Sequence, residues 1–358
     1  MGHFFSVSRL GFERAIKLGL NPALAYLVLA RGTNHANCVT PWSVNAIENY
    51  TGMSRHNARA AIESLITNSL IHRIRGGTRP QYEFELGLSL KSAFSLKDLD
   101  MLEEARNFLY EDCGTPDVLT AEHAADRIVQ DRMWLPNTLI DSAAGEFSPI
   151  ALMSQARNEQ VLHLFVHLYF LHQLEGCSGV PFNALCRKYS ASKFAERAEF
   201  LIWEFNEEQI EYDPSAFRNV LGFENSIKPE ANTALFGALG QLLELGLLQE
   251  VTYLINGKGR EAEILHAVHG GEPIEQDLAD VLQTVASHVL PEFGEGECFS
   301  SSASFCIPVL RHLRNIELIA GFRLMYRPHT TATGAWWNKT QERCQKWKAS
   351  YLKLEERF

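Results

Sequence analysis

The chain has 358 residues, 46% hydrophobic and 21% charged, with 33 Lys and Arg against 43 Asp and Glu for a net charge of −10. These proportions exclude a disordered chain and leave room for two or three domains at ~100–200 residues each. The acidic balance excludes a protein that coats nucleic acid indiscriminately, because such affinity comes from Lys and Arg neutralising phosphates; a local basic face on an acidic body stays open.

Arg9, Glu13, Arg14 and Lys17 break up residues 1–20, so no signal-peptide core is expected. No run approaches the ~18 apolar residues of a membrane span. The seven cysteines are odd in number and form no CxxC pair, which predicts reduced, mostly buried thiols. A cytoplasmic, nucleoid-associated protein with no membrane contact is the expectation.

In chain order, an apolar helix is predicted over 23–31 and an extended piece over 38–40. Ser43 can cap a helix over 44–50, which Gly52 stops, and Ser54 can cap the next, over 55–69. Ala58, Ala61, Ile62, Leu65 and Ile66 give that helix an apolar stripe. Alternating runs over 70–74 and 81–86 flank a turn containing Gly76 and Gly77, and read as a hairpin. Helix, strand, helix, turn, helix, hairpin is the order of a winged helix.

The run from Ala46 to Leu65 also resembles the helix-turn-helix of GntR- and MarR-type bacterial regulators. Gly52, Met53, Ser54, Arg55 and Arg59 match the family's turn and the opening of its recognition helix. Leu65 to Ile71 matches the exit, with Ser69 where the family has Gly, and Gly76-Gly77 matches the wing tip. The likeness covers roughly 50 residues and implies a DNA-binding fold without naming the sequence read.

The chemistry agrees. A recognition helix puts its first residues into the major groove, where Arg pairs with guanine and Asn with adenine. Ser54, Arg55, His56, Asn57 and Arg59 hold those positions, and Arg73, Arg75 and Arg79 of the wing can reach backbone phosphate or the minor groove. From Met53 to Tyr82 there are five Arg (55, 59, 73, 75, 79) against the single acid Glu63, the local basic face that an acidic body needs.

Helices are predicted next over 95–110 and 121–134, and a linker over 141–149. A second, interrupted winged helix is then expected. Its parts are an apolar helix over 159–174, a helix over 182–189, an insertion of roughly 35 residues, a helix over 233–245 and a hairpin turning at Asn256-Gly257. The helix over 229–246 has no Lys or Arg and is broadly apolar, which reads as a surface for a homodimer or a partner protein, or as plain core. Beyond it, helices are predicted over 278–290, 307–318 and 336–358. The last is cationic, with Trp336, Trp337, Trp347, Tyr351 and Leu354 as its apolar marks.

The expected fold is therefore mainly α with small β-hairpin wings. It comprises a DNA-binding winged helix (1–94), a helical linker (95–147), a second winged-helix-like unit (148–271) and a helical C-terminal region (272–358).

Two histidine sets have metal-compatible spacing: His163, His167 and His172, and His266 with His269 beside Cys177 or Cys186. Buried core histidines are the stronger reading of both, so no metal and no cofactor is expected. Arg311, His312, Arg314, Arg323 and Arg327 form a second basic cluster, a solvated face or a further backbone contact. No Walker loop, GxGxxG, GxSxG or HExxH occurs, and an enzyme is not expected. The function expected is a sequence-specific, dimeric DNA-binding transcriptional regulator. The alternatives are a plasmid or phage replication initiator or partition-type protein, and a non-catalytic subunit that uses winged helices as protein-interaction modules.

Overall fold

A computed structural model describes residues 4–34, 37–77, 79–84, 132–141, 147–173, 179–197, 200–221, 229–257, 262–289, 304–313, 315–327 and 331–355. The chain divides into two compact units: residues 1–170 with 326–328, and residues 171–325 with 329–358.

The first unit is built around α2 (Leu20–Arg31), in which every residue from Pro22 to Ala30 is buried. A helix apolar on all sides must be enclosed on all sides. β1 (Phe4–Ser8), α1 (Arg9–Lys17), α3 (Val44–Thr51) and α4 (Arg55–Thr67) enclose it. β2 (Val39–Thr40), β3 (Ile71–Arg75) and β4 (Gln81–Phe84) form a three-stranded antiparallel sheet in the order β2-β4-β3. The elements over 20–84 thus follow one another as their residues predict. Tyr26 of α2 meets Phe84 of β4 edge to face at 5.1 Å, which ties the sheet to the helices.

β1 pairs with β5 (Arg132–Pro136). The helix predicted over 121–134 is therefore strand at its end, and the rest of it, like the helix predicted over 95–110, lies outside the described residues. Two further helices complete the unit. In α5 (Pro149–Ala156), Ser148 caps the first turn and Met153 is buried. α6 (Glu159–Leu171) buries Val161, Leu162, Leu164, Phe165, Val166 and Leu168.

The second unit overturns the mainly-α expectation. It is α+β, built on a large curled antiparallel sheet. Six strands of that sheet are described, in the order β10-β7-β6-β11-β8-β9. β6 (Leu185–Arg197) and β7 (Phe200–Tyr212) are a long hairpin occupying the residues read as a second helix and an insertion. β8 (Leu248–Asn256) and β9 (Glu263–His269) follow, then β10 (Ser304–Leu310) and β11 (Ile316–Leu324). The last two replace the helix predicted over 307–318. Pro308 argues against that helix, since proline lacks the N–H a helix interior needs and is confined in sheets to edges. β10 is a terminal strand of the described sheet. Among the described residues there is no second winged helix, and the C-terminal region is helical only in part.

A short helix α7 (Arg218–Leu221) and three long ones accompany the sheet: α8 (Pro229–Glu244), α9 (Pro273–Val289) and α10 (Thr331–Glu355). One core lies between the sheet and α9 and α10. Phe200, Ile202, Phe205, Leu254 and Leu318 of the strands pack there with Leu278, Leu282, Val285, Cys344 and Tyr351 of the helices. A smaller cluster on the other face joins Cys186, Val251, Tyr253, Ile255, Ala267 and Ile319.

Beside Tyr253 lies a buried ion pair. Arg323, 2% exposed, donates two hydrogen bonds to the fully buried Glu275 carboxylate and one to the Tyr253 hydroxyl, and lies over the Trp336 ring at 4.9 Å. An isolated buried charge is costly, and it is tolerated here because the pair and its hydrogen bonds are complete.

Candidate nucleic-acid interface

The turn between α3 and α4 depends on its residue types. Gly52 ends α3 in the left-handed conformation, φ 69°, which a side chain would strain. Met53 is buried and anchors the turn. The Ser54 hydroxyl accepts the Asn57 N–H at 3.3 Å, so its oxygen serves as the cap of α4. At the far end, Ser69 stands where the resembled family has Gly and adopts φ 54°. The left-handed position is retained without the residue that fits it best.

α4 divides into two faces. Ala58, Ala61, Ile62 and Leu65 are buried, and Arg55, His56, Asn57, Arg59, Ala60 and Glu63 are exposed. At about 100° per residue, His56, Ala60 and Glu63 run down the middle of the exposed face. Arg55 and Arg59 lie on one flank and Asn57 on the other. Ala60 is the residue that a search for charged and amide side chains misses. Its place on the helical wheel marks it, and a small apolar side chain there suits a thymine methyl.

The five arginines are not equivalent. Arg55 donates to Glu48 Oε2 and Asn45 Oδ1, both at 3.0 Å, so α3 holds it in place. Glu48 lies outside the window 53–82 and takes one positive charge from the local excess. Arg73 donates to Glu63 Oε1 at 2.7 Å, and this hydrogen bond raises its already high pKa. Arg59, Arg75 and Arg79 are exposed and have no ion-pair partner among the described residues.

The wing carries its cations on both faces, and a bulge is the reason. Arg73 lies opposite Tyr82 and Arg75 opposite Gln81, leaving Ile74 as the extra residue. Side chains alternate along a strand, so Arg73 shares the face of buried Tyr82 and Phe84, next to α4. Arg75 shares the other face, with Gln81, Glu83 and His72. Ile74, half exposed, projects between them. Gly76 and Gly77 have open space around them, and Gly77 has φ 86°.

Beside the turn a polar cleft of about 1100 Å³ is lined by residues 18–22 at the junction of α1 and α2, residues 51–54 and Asn57, and Ser154, Gln155 and Arg157 at the end of α5. It widens the polar surface next to the N-terminus of α4.

Other candidate groups are dispersed or buried. His163 pairs with Glu13 at 2.7 Å, and the His167 ring lies 6.0 Å from that of Phe170, tilted by 33°. His266 is fully buried, its Nε2 3.0 Å from the Tyr351 hydroxyl, and burial lowers its pKa to about 4. No cluster of three or more His, Cys, Asp or Glu able to hold a metal occurs among the described residues. Cys38, Cys186, Cys306 and Cys344 are buried and form no disulfide, and burial pushes Cys186 and Cys344 up to about 11.

The second basic cluster separates: Arg311 pairs with Glu196, Arg323 is in the buried ion pair, and Arg314 lies outside the described residues. Part of the apolar face of α8 is core. Leu235, Ala238, Leu239 and Leu242 are buried in their own unit, and Phe236 meets Tyr212 edge to face at 6.2 Å.

No described helix is long and apolar enough to cross a membrane. No protein-family model, no curated protein and no solved structure matches this chain.

Proposed function

We propose that this chain is a sequence-specific double-stranded DNA-binding protein that acts as a transcriptional regulator. α4 reads the major groove through His56, Asn57, Arg59 and Ala60. Arg55, braced by α3, and Arg75 and Arg79 of the wing hold phosphates. The observation that carries this reading is the sorting of α4. Ala58, Ala61, Ile62 and Leu65 are buried against its neighbours, and Arg55, His56, Asn57 and Arg59, side chains suited to base edges and phosphates, are exposed beside Ala60 and Glu63. The initiator reading drew on a second winged helix, and the described strands of the second unit form one six-stranded sheet instead.

The test is an anisotropy titration against a genomic fragment library at about 150 mM salt, a concentration at which non-specific phosphate contacts are already weak. Wild type is expected to select a small set of fragments, and Arg59→Ala to bind without selecting them. A wild type that selects nothing removes the DNA-reading role and leaves the wing and α4 as a protein-docking surface.

A further inference from the structure

We propose that the outward face of α10 is a second, sequence-independent contact for the phosphates of duplex DNA. The inference rests on the DNA-binding reading above and adds to it a surface in the second unit.

α10 carries Lys339, Arg343, Lys346, Lys348 and Lys353 against Glu342 and Glu355, a net of +3 (five minus two) in a chain of −10. Its inner side is fixed by buried Trp336, Thr340, Cys344 and Tyr351, so its orientation on the unit is determined. Lys348 is consumed locally, pairing with Asp277 of α9 at 2.5 Å. Lys339, Lys346 and Lys353 are exposed and have no ion-pair partner among the described residues. They recur every seven residues, and a heptad drifts by only ~20° around a straight helix, so the three ammonium groups share one line. At 1.5 Å per residue they stand about 10.5 Å apart and span about 21 Å. The span is shorter than one ~34–36 Å turn of B-DNA, so the row can lie along a single stretch of backbone.

The residues between them select among anionic partners. Asn338, Glu342, Gln345, Ala349 and Leu352 are exposed alongside the lysines. A membrane surface needs a broad apolar face for insertion, and this one offers only Ala349 and Leu352. Protein interfaces are depleted in Lys and anchored by aromatic residues or Arg, and the buried aromatics Trp336 and Tyr351 point the other way. A row of lysines with amide side chains between them fits a phosphate backbone, where the requirement is charge rather than shape.

The experiment uses the full chain carrying Lys339→Gln, Lys346→Gln and Lys353→Gln together. Affinity for a selected duplex and for a scrambled duplex is measured across a salt series. Each lost phosphate contact flattens the log–log slope by about 0.9, so the triple variant is expected to lose roughly 2–3 from the slope with the selected-to-scrambled ratio unchanged. All three side chains are exposed, so thermal unfolding is expected to match wild type. A wild-type slope and affinity in the triple variant, while wild type still selects its duplex, overturns the α10 contact and leaves the DNA-binding reading standing. Loss of binding to a polyglutamate probe with the DNA slope unchanged reassigns the face to an acidic protein and also overturns it. If wild type selects no duplex at all, the underlying reading fails first, and the α10 contact with it.

Discussion

The hairpins β3–β4 and β8–β9 both follow a long helix and both turn at glycine, yet they meet solvent in opposite ways. In β3 only Ile71 is buried and the next four residues are exposed. In β8 the run from Val251 to Ile255 is buried throughout. The difference lies in their neighbours. β3 is an edge strand of a three-stranded sheet, whereas β8 sits between β11 and β9, with packed clusters on both faces of the sheet. A strand covered on two faces and paired on two edges has no surface for a partner, and β3 keeps nearly all of its own. Where a helix and hairpin come to rest, rather than their local pattern, separates a wing from a core element.

If the buried hairpin is structural, breaking it should cost stability and leave DNA binding alone. The largest effect is expected at Arg323, which bonds Tyr253 of β8 and neutralises Glu275. Arg323→Met strands a carboxylate with no solvent access, at a cost of about 3–5 kcal/mol in a denaturant titration. Adding Glu275→Leu should recover most of it, because the cost is the unpaired charge and not the lost attraction. A single variant as stable as wild type would show that this pair does not hold the hairpin.

His266 of β9 supplies a pH test of the same region. Its folded pKa, lowered to about 4 by burial, is below the ordinary 6.5, so protons bind the unfolded chain first as the pH falls. Its contribution is complete above about pH 6.5 and is lost progressively towards pH 4, up to about 3 kcal/mol for a shift of this size. Melting temperature should fall across that window, and less steeply in His266→Asn. Equal slopes would place the pH sensitivity in other groups.

These particulars also show how much could be read in advance. Over 20–84, each element rests on a local signal: Pro22 opening α2, Gly52 and Ser54 framing the turn, Gly76-Gly77 in the wing. The exposed face of α4 follows from its period alone. The second unit is decided by long-range pairing. Leu185–Arg197 finds its partners in Phe200–Tyr212 and then in β11, over a hundred residues away. Nothing local announces that distance, and a likeness to the first winged helix put a helix there. One signal was present: five consecutive residues without charge, Val251-Thr252-Tyr253-Leu254-Ile255, mark a strand buried on both faces, whereas a wing alternates. The braces on Arg55 and Arg73 were not legible, because Glu48 and Glu63 reach them only once α3, α4 and β3 are packed.

On the exposed side, the expected effects are on binding and not on stability. Arg59→Ala should lose about 1–3 kcal/mol of discrimination between the selected and a mismatched duplex, the worth of one bidentate base contact. Its melting should not change, because the side chain is exposed. Arg75→Ala should weaken all sequences alike and flatten the salt slope by about 0.9. A change in sequence preference at Arg75 would instead place the wing on base edges, with Ile74 beside it against the minor groove.

The smallest effect separates the two roles within the wing itself. Glu63 lies on the exposed face of α4, where a carboxylate repels phosphate, and it engages Arg73 through a pair that is 44% and 62% exposed. Such a pair contributes about 0–1 kcal/mol to stability, so Glu63→Gln should barely move the melting temperature. It removes one negative charge and frees one positive charge at the same interface. Affinity for every duplex should therefore rise and the salt slope should steepen, the reverse of Arg75→Ala. Were affinity to fall instead, Glu63 would be accepting a hydrogen bond from a cytosine amino group, and the face of α4 that reads the DNA would extend to Glu63.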